Sequence, residues 1–317
     1  MAGRPVVAVA GAASVDMTMR CPPAGWHDGD GIECYTPELI KTLDRPIEIG
    51  LGGNGAAAAY VMARLGVHVR LSAPVSGDEL GRLTRQWLTD AGVELLSPPV
   101  ASMMGAITAV DDHGNRTGCL QHPGPPIDWS AAGQCNDAAW MLFATHAQAD
   151  QIDYDGVMSA LNGARRDGRR TALDSGISWL RTIPQSAMHA LWQYTDLVIG
   201  TSDELGAWTG CEDLESMAPC VLKHGPRDVI VKLGADGVAW SGGDQTLRHQ
   251  PAYKVDRVDV TVGAGDGFNG GMLASLADGQ SIESAVDAGQ KIAAAIVSSG
   301  RGVLGWGQPQ TTGTEAP

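Results

Sequence analysis

The second half of the chain alternates short apolar runs with a helix-forming segment, and this alternation constrains the fold more than any other feature. The runs Met141 to Thr145, Thr171 to Asp174, Asp196 to Gly200 and Asp228 to Leu233 predict strands, and Tyr154 to Arg166 predicts a helix. Strands that alternate with helices form a parallel sheet with helices on both faces. The sequence therefore predicts an α/β fold.

The first predicted strand leads directly to a polar residue. Val6 to Ala10 is a continuous apolar run, which is typical of a strand buried on both faces, and a short loop connects it to Asp16. Ligands of open α/β sheets bind at the carboxyl ends of the strands, so Asp16 is placed to meet one. An Asp that follows a strand is also common as a plain turn residue.

Two segments fall outside this alternation. Residues 20–50 are rich in Gly and Pro and contain no long helical pattern, which indicates strands and loops outside the main layer. Residues 100–121 alternate in hydropathy around Asp111 to Asn115, which predicts a hairpin. Together the two segments predict a small sheet that covers the site.

Charge and cysteine content exclude several classes of function. The net charge of −14 disfavours a surface for nucleic acid or anionic membranes, because both need basic patches. The six cysteines form no C-x-x-C pair, which indicates free thiols in a reducing compartment. The apolar run near the start is too short for a signal sequence or a membrane span. We therefore expect a cytoplasmic protein.

A glycine-rich turn, Gly263 to Gly271, is followed by apolar residues at helical spacing and preceded by an alternation that predicts a strand. A turn that enters a helix in this way directs backbone N–H groups outward at the positive end of the helix dipole. Gly263 and Gly265 let a ligand approach the backbone closely. The turn is therefore a candidate phosphate site.

Asp266 is the unexpected residue of this turn, because a carboxylate repels phosphate. Its presence is explained if it takes a proton from an attacking hydroxyl during phosphoryl transfer. It is equally explained if Asp266 caps the helix. The stretch Gly265 to Gly270 also fits the G-x-G-x-x-G dinucleotide pattern, but Asp266 would then lie inside the pyrophosphate cradle, which disfavours that interpretation.

Polar and glycine-rich turns recur elsewhere. The stretch Gly52-Gly53-Asn54-Gly55-Ala56 opens a predicted helix closed by Gly66, and Asn54 either caps it or offers its amide to a hydroxyl-rich ligand. Two further strands lead to the turns 201–204 and 234–237, at the same predicted edge of the sheet.

These motifs, in this order, resemble those of the ribokinase-like (PfkB) family of carbohydrate and nucleoside kinases. Two motifs carry the resemblance, Gly52 to Ala56 with Ala63 to Gly66, and Gly263 to Asp266, and the stretch Lys232 to Gly237 lies between them. It extends from Val6 to about Gly302. It implies a ribokinase-like three-layer sandwich with a central, mostly parallel sheet and a small β-sheet lid. One kinase domain would span residues 1–306, with lid segments near 17–50 and 100–122, before a disordered tail at 307–317.

The resemblance also implies roles for individual residues. Asp266 would be the catalytic base, and the amides of Gly263, Ala264 and Gly265 would form the anion hole. The acceptor sugar would meet Asp16, Gly52, Gly53 and Asn54, and His146 is a candidate specificity residue, although a lone histidine is more often structural. The nucleotide side would comprise Thr201, Glu204, Lys232, Gly234 and Gly237. Glu204 would also place Mg²⁺ through water.

Departures from the family pattern bear on the substrate. Thr201 replaces the asparagine of the family's N-x-x-E motif, and the stretch Asp174 to Ser178 lacks the Asn and Arg of the D-x-N-x-R motif found in hexose-type members. Asp259 stands one place early before the glycine turn, which leaves monovalent-cation activation open. An unusual sugar or a modified sugar acid is therefore a candidate acceptor.

The leading hypothesis is an ATP-dependent, Mg²⁺-requiring sugar kinase that phosphorylates a primary hydroxyl. A nucleoside kinase of the same family is the alternative, in which Trp26 or Tyr35 would stack on a base. A non-catalytic sugar-binding or regulatory protein on the same fold is the alternative from another class. The expected partners are a small sugar and ATP, without nucleic acid or membrane. Some family members pair through the lid, so a homodimer is also open.

Overall fold

A computed structural model describes residues 4–22, 43–111, 116–145, 153–258 and 261–307. Its strands are β1 (Val6–Ala10), β2 (Ser14–Arg20), β3 (Glu48–Gly52), β4 (His68–Ser72), β5 (Val93–Leu95), β6 (Met104–Val110), β7 (Arg116–His122), β8 (Trp140–Ala144), β9 (Arg170–Asp174), β10 (Leu197–Thr201), β11 (Asp228–Lys232), β12 (Val238–Ser241) and β13 (Arg248–Gln250). Its helices are α1 (Asn54–Arg64), α2 (Glu79–Ala91), α3 (Trp129–Gly133), α4 (Tyr154–Arg166), α5 (Gln185–Trp192), α6 (Ser202–Thr209), α7 (Leu214–Leu222), α8 (Ala264–Ala277), α9 (Ile282–Ser299) and α10 (Gly302–Gly305).

The larger sheet has nine strands in the order β13-β12-β11-β10-β9-β8-β1-β4-β5. The pairs from β11 to β5 are parallel, whereas β12 and β13 run antiparallel at one edge. On one side of β1 lie β4 and then β5, and on its other side lies β8. The carboxyl ends of β1 and β8 therefore flank a switch point, where open α/β sheets bind ligands.

Alternate residues of the central strands enter two separate cores. Val7 and Val9 pack into the core beneath α1, α8 and α9, whereas Ala8 and Ala10 pack into the core on the α4 side. All four are fully buried. A strand with both faces covered needs apolar residues at every position, which explains the continuous apolar run of β1. The result is the predicted three-layer α/β architecture.

The smaller sheet has four strands in the order β3-β2-β6-β7, and we call it the lid. Strand β2 pairs antiparallel with β3 and parallel with β6, and β6 and β7 form the antiparallel pair predicted from the alternation at 100–121. Asp16 and Thr18 lie on the face that borders the cavity described below. This sheet confirms the prediction of a small β-sheet beside the main layer.

The prediction of a strand before the glycine turn is wrong for the part that the structure describes. β13 ends at Gln250, and residues 251–258 form no strand. Pro251 has no N–H to donate to a neighbouring strand, and Tyr253 and Val258 are both more than 40% exposed, at 41% and 43%. Alternating hydropathy therefore occurs here without a pairing partner.

Three further predictions concern the free cysteines, a membrane span and the C-terminal tail. The described cysteines, Cys21, Cys119, Cys135, Cys211 and Cys220, are free thiols, and Cys34 lies outside the described residues. No helix in the described ranges combines the length and apolar character needed to cross a membrane. The predicted tail lies outside the described residues from position 308 onward.

Candidate active site

The glycine turn forms the start of α8. Gly263 is the N-cap, with a left-handed φ of 82°, and no side chain caps the helix. Asp266 is the third residue of α8, so the interpretation of Asp266 as the helix cap is wrong. The N–H of Ala264 donates to Thr261 O at 3.2 Å, and the N–H of Gly267 donates to Gly263 O at 2.8 Å. Among the described residues, a Cβ on Gly265 would meet only Lys232 Nζ, at 3.7 Å, so space is open beside this part of the turn.

A cavity lies between this turn and the lid. Asp16, Thr18 and Glu48 line it from the lid, and Gly263 and Asp266 line it from the start of α8. The remaining lining residues are Ile47, Ile49, Gly50, Leu51, Gly52, Ala57, Val262, Gly300, Arg301 and Gly302. The structure thus brings Asp16, Gly52, Gly263 and Asp266, which are 250 residues apart along the chain at the extremes, to one cavity.

Asp16 is held in place on the lid. Its Oδ1 accepts a hydrogen bond from Ser14 Oγ at 2.7 Å. A Cβ on Gly52 would lie 2.2 Å from the Asp16 carboxyl group, so a side chain at that position would displace the carboxylate. Gly52 therefore keeps room for Asp16 at the cavity wall.

Gly53 and Asn54 connect the loop after β1 to α1 and do not line the cavity. Gly53 is the N-cap of α1 at a φ of 80°, so Asn54 does not cap the helix. Asn54 is 8% exposed, and its Oδ1 accepts from the N–H groups of Ala12 at 3.2 Å and Gly55 at 2.9 Å. Its Nδ2 is buried without a hydrogen-bond partner among the described residues. Asn54 therefore positions the β1 loop, and His146 lies outside the described residues.

Thr201 and Glu204 form a capping box at the start of α6. Thr201 Oγ1 accepts from the Glu204 N–H at 3.2 Å, and Glu204 Oε2 accepts from the Thr201 N–H at 2.8 Å. Thr201 therefore caps the start of α6, and a threonine hydroxyl can serve as a helix cap as an asparagine side chain does.

The residues present fit a Mg²⁺ that is held mainly by phosphate oxygens. No cluster of three or more His, Cys, Asp or Glu side chains within the described ranges forms a metal site by itself. Mg²⁺ keeps several waters and needs one or two carboxylates beside the phosphates of a substrate. The carboxylates of Glu204 and Asp266 both lie near enough to Lys232 to raise the pKa of its ammonium, so carboxylates are available beside the glycine turn. Asp259, on which monovalent-cation binding depended, lies outside the described residues.

Lys232 lies at the end of β11 in a buried group that we call the core cluster: Asp174, Lys232 and Asn269. Lys232 Nζ lies 3.4 Å from Asp174 Oδ1, and Asn269 Nδ2 donates to Asp174 Oδ2 at 2.7 Å. Burial lowers the pKa of the Lys232 ammonium, but nearby carboxylates raise this pKa by more, and the net shift is upward. These carboxylates belong to Asp174, Glu204 and Asp266.

Gly234 and Gly237 bound a 3₁₀ turn directly after β11. Both have positive φ, 60° and 100°. A Cβ on Gly237 would lie 2.1 Å from Gln250 O, whereas one on Gly234 would meet no atom within 4 Å. Gly237 is therefore required by packing against the end of β13, and Gly234 leaves open space at the same edge as Lys232.

Three features of the site were missed from the sequence. Arg20 and Glu48, which we call the lid cluster, form an ion pair at 3.2 Å, and Arg20 also donates to Gly300 O at 2.9 Å. Arg301 lines the cavity beside Gly300. Asn269 is the third missed feature. The sequence offered a signal for it, because Asn269 follows Asp266 by three residues and this spacing places both residues on one face of α8.

Comparisons with known proteins agree with this geometry. Residues 134–305 match the family model described as pfkB family carbohydrate kinase. The chain is 28% identical over 279 residues to 2-dehydro-3-deoxygluconokinase of Bacillus subtilis (strain 168), covering 79% of this chain and 81% of that protein. It is 24% identical over 265 residues to 5-dehydro-2-deoxygluconokinase of Listeria monocytogenes, covering 78% and 81%. The crystal structure of ribokinase from Thermotoga maritima superposes with a TM-score of 0.75 at 22% identity, over 96% of both chains.

Proposed function

Because the chain belongs to the pfkB family of carbohydrate kinases, we propose that it transfers the γ-phosphate of ATP to a primary hydroxyl of a sugar or sugar derivative. The observation that carries this proposal is the position of Asp266. It lies in the first turn of α8, beside the glycine turn, and lines the same cavity as Asp16 of the lid. A carboxylate and an anion-binding turn therefore meet where an acceptor has room.

Asp266 acts as the general base in this proposal. A sugar hydroxyl is a poor nucleophile near neutral pH, so the carboxylate takes its proton as the oxygen attacks. The new bond joins the acceptor oxygen to the γ-phosphorus of ATP, and the bond from that phosphorus to the bridging oxygen of ADP breaks. The products are the sugar phosphate and ADP, and the proton leaves from Asp266 to solvent.

The turn from Gly263 to Gly265 stabilises the transferring phosphoryl group. Backbone N–H groups at a helix start carry partial positive charge, and they need no rearrangement as the charge on the phosphoryl oxygens develops. The Ala264 N–H already donates to Thr261 O, so we assign the larger share to the N–H of Gly265. Glu204 would hold Mg²⁺ through water, and the bound ion would neutralise charge on the phosphates.

The nucleotide is assigned to the edge formed by the ends of β10 and β11. Kinases of this family use ATP. Thr201, Glu204, Lys232, Gly234 and Gly237 all lie at this edge. The open space at Gly234 and the charge of Lys232 support the assignment.

The acceptor fits a sugar acid better than a nucleoside. No aromatic side chain lines the cavity among the described residues, whereas a base would be stacked by one. Arg301 lines the cavity and forms no ion pair within the described part of the chain, so a guanidinium is available for a carboxylate. Two relatives are named as kinases of dehydro-deoxygluconates, which agrees with this choice.

The test is ADP release from ATP and Mg²⁺ across sugar acids, ketohexoses, pentoses and nucleosides. We expect turnover with a sugar acid, and Asp266→Asn should keep the fold but lower kcat by about 10²- to 10⁴-fold. Asp278→Asn, which changes the residue just after α8, is the matched control and should retain full activity. Near-wild-type turnover by Asp266→Asn would remove Asp266 from the mechanism, and turnover with nucleosides alone would favour the nucleoside alternative.

A second copy of the chain is proposed to cover the outer face of the lid. The residues Ile49, Met17, Ile107 and Leu120 are directly opposite one another across four strands; Ile49 and Leu120 are 48% and 55% exposed, and Ile49, on the edge strand, also borders the cavity. Such a row favours association of two chains through the hydrophobic effect. Light scattering should show a dimer that Leu120→Asp dissociates, whereas a monomeric wild-type protein would contradict the proposal.

The free thiols support a reducing, cytoplasmic location.

A further inference from the structure

The core cluster contains three polar side chains that the fold buries together. The side chains of Lys232 and Asp174 are only 12% and 8% exposed, and Asn269 is 1% exposed. They come from the ends of β11 and β9 and from the first half of α8. Strand β10 lies between β9 and β11, so the lysine reaches across its end to the aspartate.

Asn269 has a fixed orientation in this cluster. A carboxylate accepts hydrogen bonds and cannot donate one, so the amide must turn its Nδ2 toward Asp174. That bond is 2.7 Å long, and Asn269 Oδ1 is left buried without a partner among the described residues. An amide that gives up one hydrogen bond to hold a carboxylate has a positioning role, because a buried unsatisfied acceptor costs stability.

Stability alone does not explain the cluster. Desolvation of two buried charges cancels most or all of their attraction, and well-packed apolar residues of similar volume are often as stable. The location suggests the missing reason, because Lys232 Nζ is the atom nearest to a Cβ built on Gly265, at 3.7 Å. The ammonium therefore lies beside the turn to which the transferring phosphate is assigned.

The charges around the ammonium favour its protonated form. Three carboxylates, those of Asp174, Glu204 and Asp266, keep the Lys232 ammonium protonated. Without this cation, the terminal phosphate of ATP would approach three negative charges in a partly desolvated site, where charge interactions are strong.

We propose that Asp174 and Asn269 are positioning residues that hold the Lys232 ammonium beside the glycine turn, where it pairs with the terminal phosphate of ATP. This inference rests on the proposed function and adds a charge-bearing group to it. Asn269 fixes Asp174, and Asp174 fixes Lys232. The ammonium contributes to binding of ATP and not of ADP, because ADP lacks the phosphate that reaches the turn.

The test compares the affinities of the non-hydrolysable ATP analogue AMP-PNP and of ADP, each with Mg²⁺, by calorimetry. The double variant Lys232→Met/Asp174→Asn removes both charges, so that neither is left buried alone. We expect AMP-PNP affinity to fall about 10- to 100-fold, as for loss of a charge-assisted hydrogen bond, and ADP affinity to change by less than about twofold. Lys291→Met, at an exposed lysine of α9, is the matched control and should alter neither affinity.

A second variant tests the positioning role separately. Asn269→Leu keeps both charges and leaves no unsatisfied amide, and we expect AMP-PNP affinity to fall about 3- to 10-fold with ADP affinity retained. The same substitution should have no further effect on the AMP-PNP to ADP ratio in the double variant, because the ammonium is already absent.

Different failures point to different conclusions. Equal losses of AMP-PNP and ADP affinity, or no loss of either, would overturn the inference while a kinase-active wild type upheld the proposed function. A wild-type protein that binds neither nucleotide would overturn both. An additional ratio change by Asn269→Leu in the double variant would show that Asn269 does not act through Lys232.

Discussion

One ion pair lies behind the glycine turn and another lies on the lid, and the two pairs differ in how they are enclosed. In the core cluster both charged side chains are nearly inaccessible, at 12% and 8% exposure. In the lid cluster Arg20 is equally buried, at 9%, but Glu48 is 35% exposed and borders the cavity. One pair is sealed under helix α8, and the other has a side open to the acceptor.

The difference follows from the layers that carry the two pairs. The core cluster stands on strands covered on both faces, and α8 packs so closely on α1 that a Cβ on Gly270 would lie 2.7 Å from Ala58 O. The lid cluster stands on two antiparallel strands, and a bond from Arg20 to Gly300 O links it to the core. The core pair therefore holds its charge in a fixed place, as stabilisation of a phosphoryl group requires, whereas the lid pair borders the side of the cavity proposed for the acceptor.

The largest effect is expected from breaking the core pair. Asp174→Ala leaves the Lys232 ammonium buried without its nearest carboxylate, which should lower the free energy of unfolding by about 3–5 kcal/mol. Urea denaturation followed by circular dichroism measures this loss. The double variant Lys232→Met/Asp174→Asn should be more stable than Asp174→Ala. A loss below about 1 kcal/mol would mean that the cluster is more hydrated than its exposure indicates.

The next effect concerns the packing that makes the core rigid. Gly270→Ala places a methyl group against the backbone of α1, so we expect a loss of about 1–3 kcal/mol in the free energy of unfolding. Gly163→Ala in α4 is the matched control, because its Cβ would meet no atom within 4 Å. The control should raise stability by about 0.5–1 kcal/mol. Equal effects of the two substitutions would contradict the close approach of α8 and α1.

A smaller effect is expected from the lid pair. Arg20→Met removes the Glu48 pair and the bond to Gly300 O, and solvent at Glu48 limits the loss in unfolding free energy to about 1–2 kcal/mol. The Michaelis constant for the acceptor should rise several-fold, while ADP affinity stays unchanged. Arg45→Met, at an exposed residue beside β3, should change neither. A rise in the ADP dissociation constant would show that the lid also controls the nucleotide side.

The smallest expected effect is a pH dependence of the free energy of unfolding that the core pair contributes. The pKa of Lys232 is raised in the folded protein, so its contribution is complete below the ordinary lysine value of 10.5 and is lost as pH rises through the higher folded pKa. The stability difference between wild type and the double variant should therefore stay constant from pH 6 to about 9 and change only above about pH 10.5. A change between pH 6 and 8 would contradict the upward direction of the shift.

The sequence alone determined the layers and the chemistry of the glycine turn. Both are local, because hydrophobic periodicity fixes which face of a strand or helix is buried, and a glycine turn before a helix directs N–H groups outward whatever surrounds it. Even so, the alternation at 251–258 predicted a strand that did not form, since periodicity does not supply a partner strand. Asn54 was open between cap and ligand contact; the structure excludes the cap and shows that its Oδ1 accepts from the Ala12 N–H, while the ligand contact stays a prediction.

Only the tertiary structure decided which charges meet. The contacts of Asp174 with Lys232 and Asn269 join residues 58 and 95 positions apart, and Arg20 reaches Gly300 across 280 positions. Contacts of this range depend on strand order and on how α8 packs over the sheet, which no local pattern specifies. The sequence therefore pointed to Asp266 as the candidate base, and the fold alone brought the buried Lys232 near it.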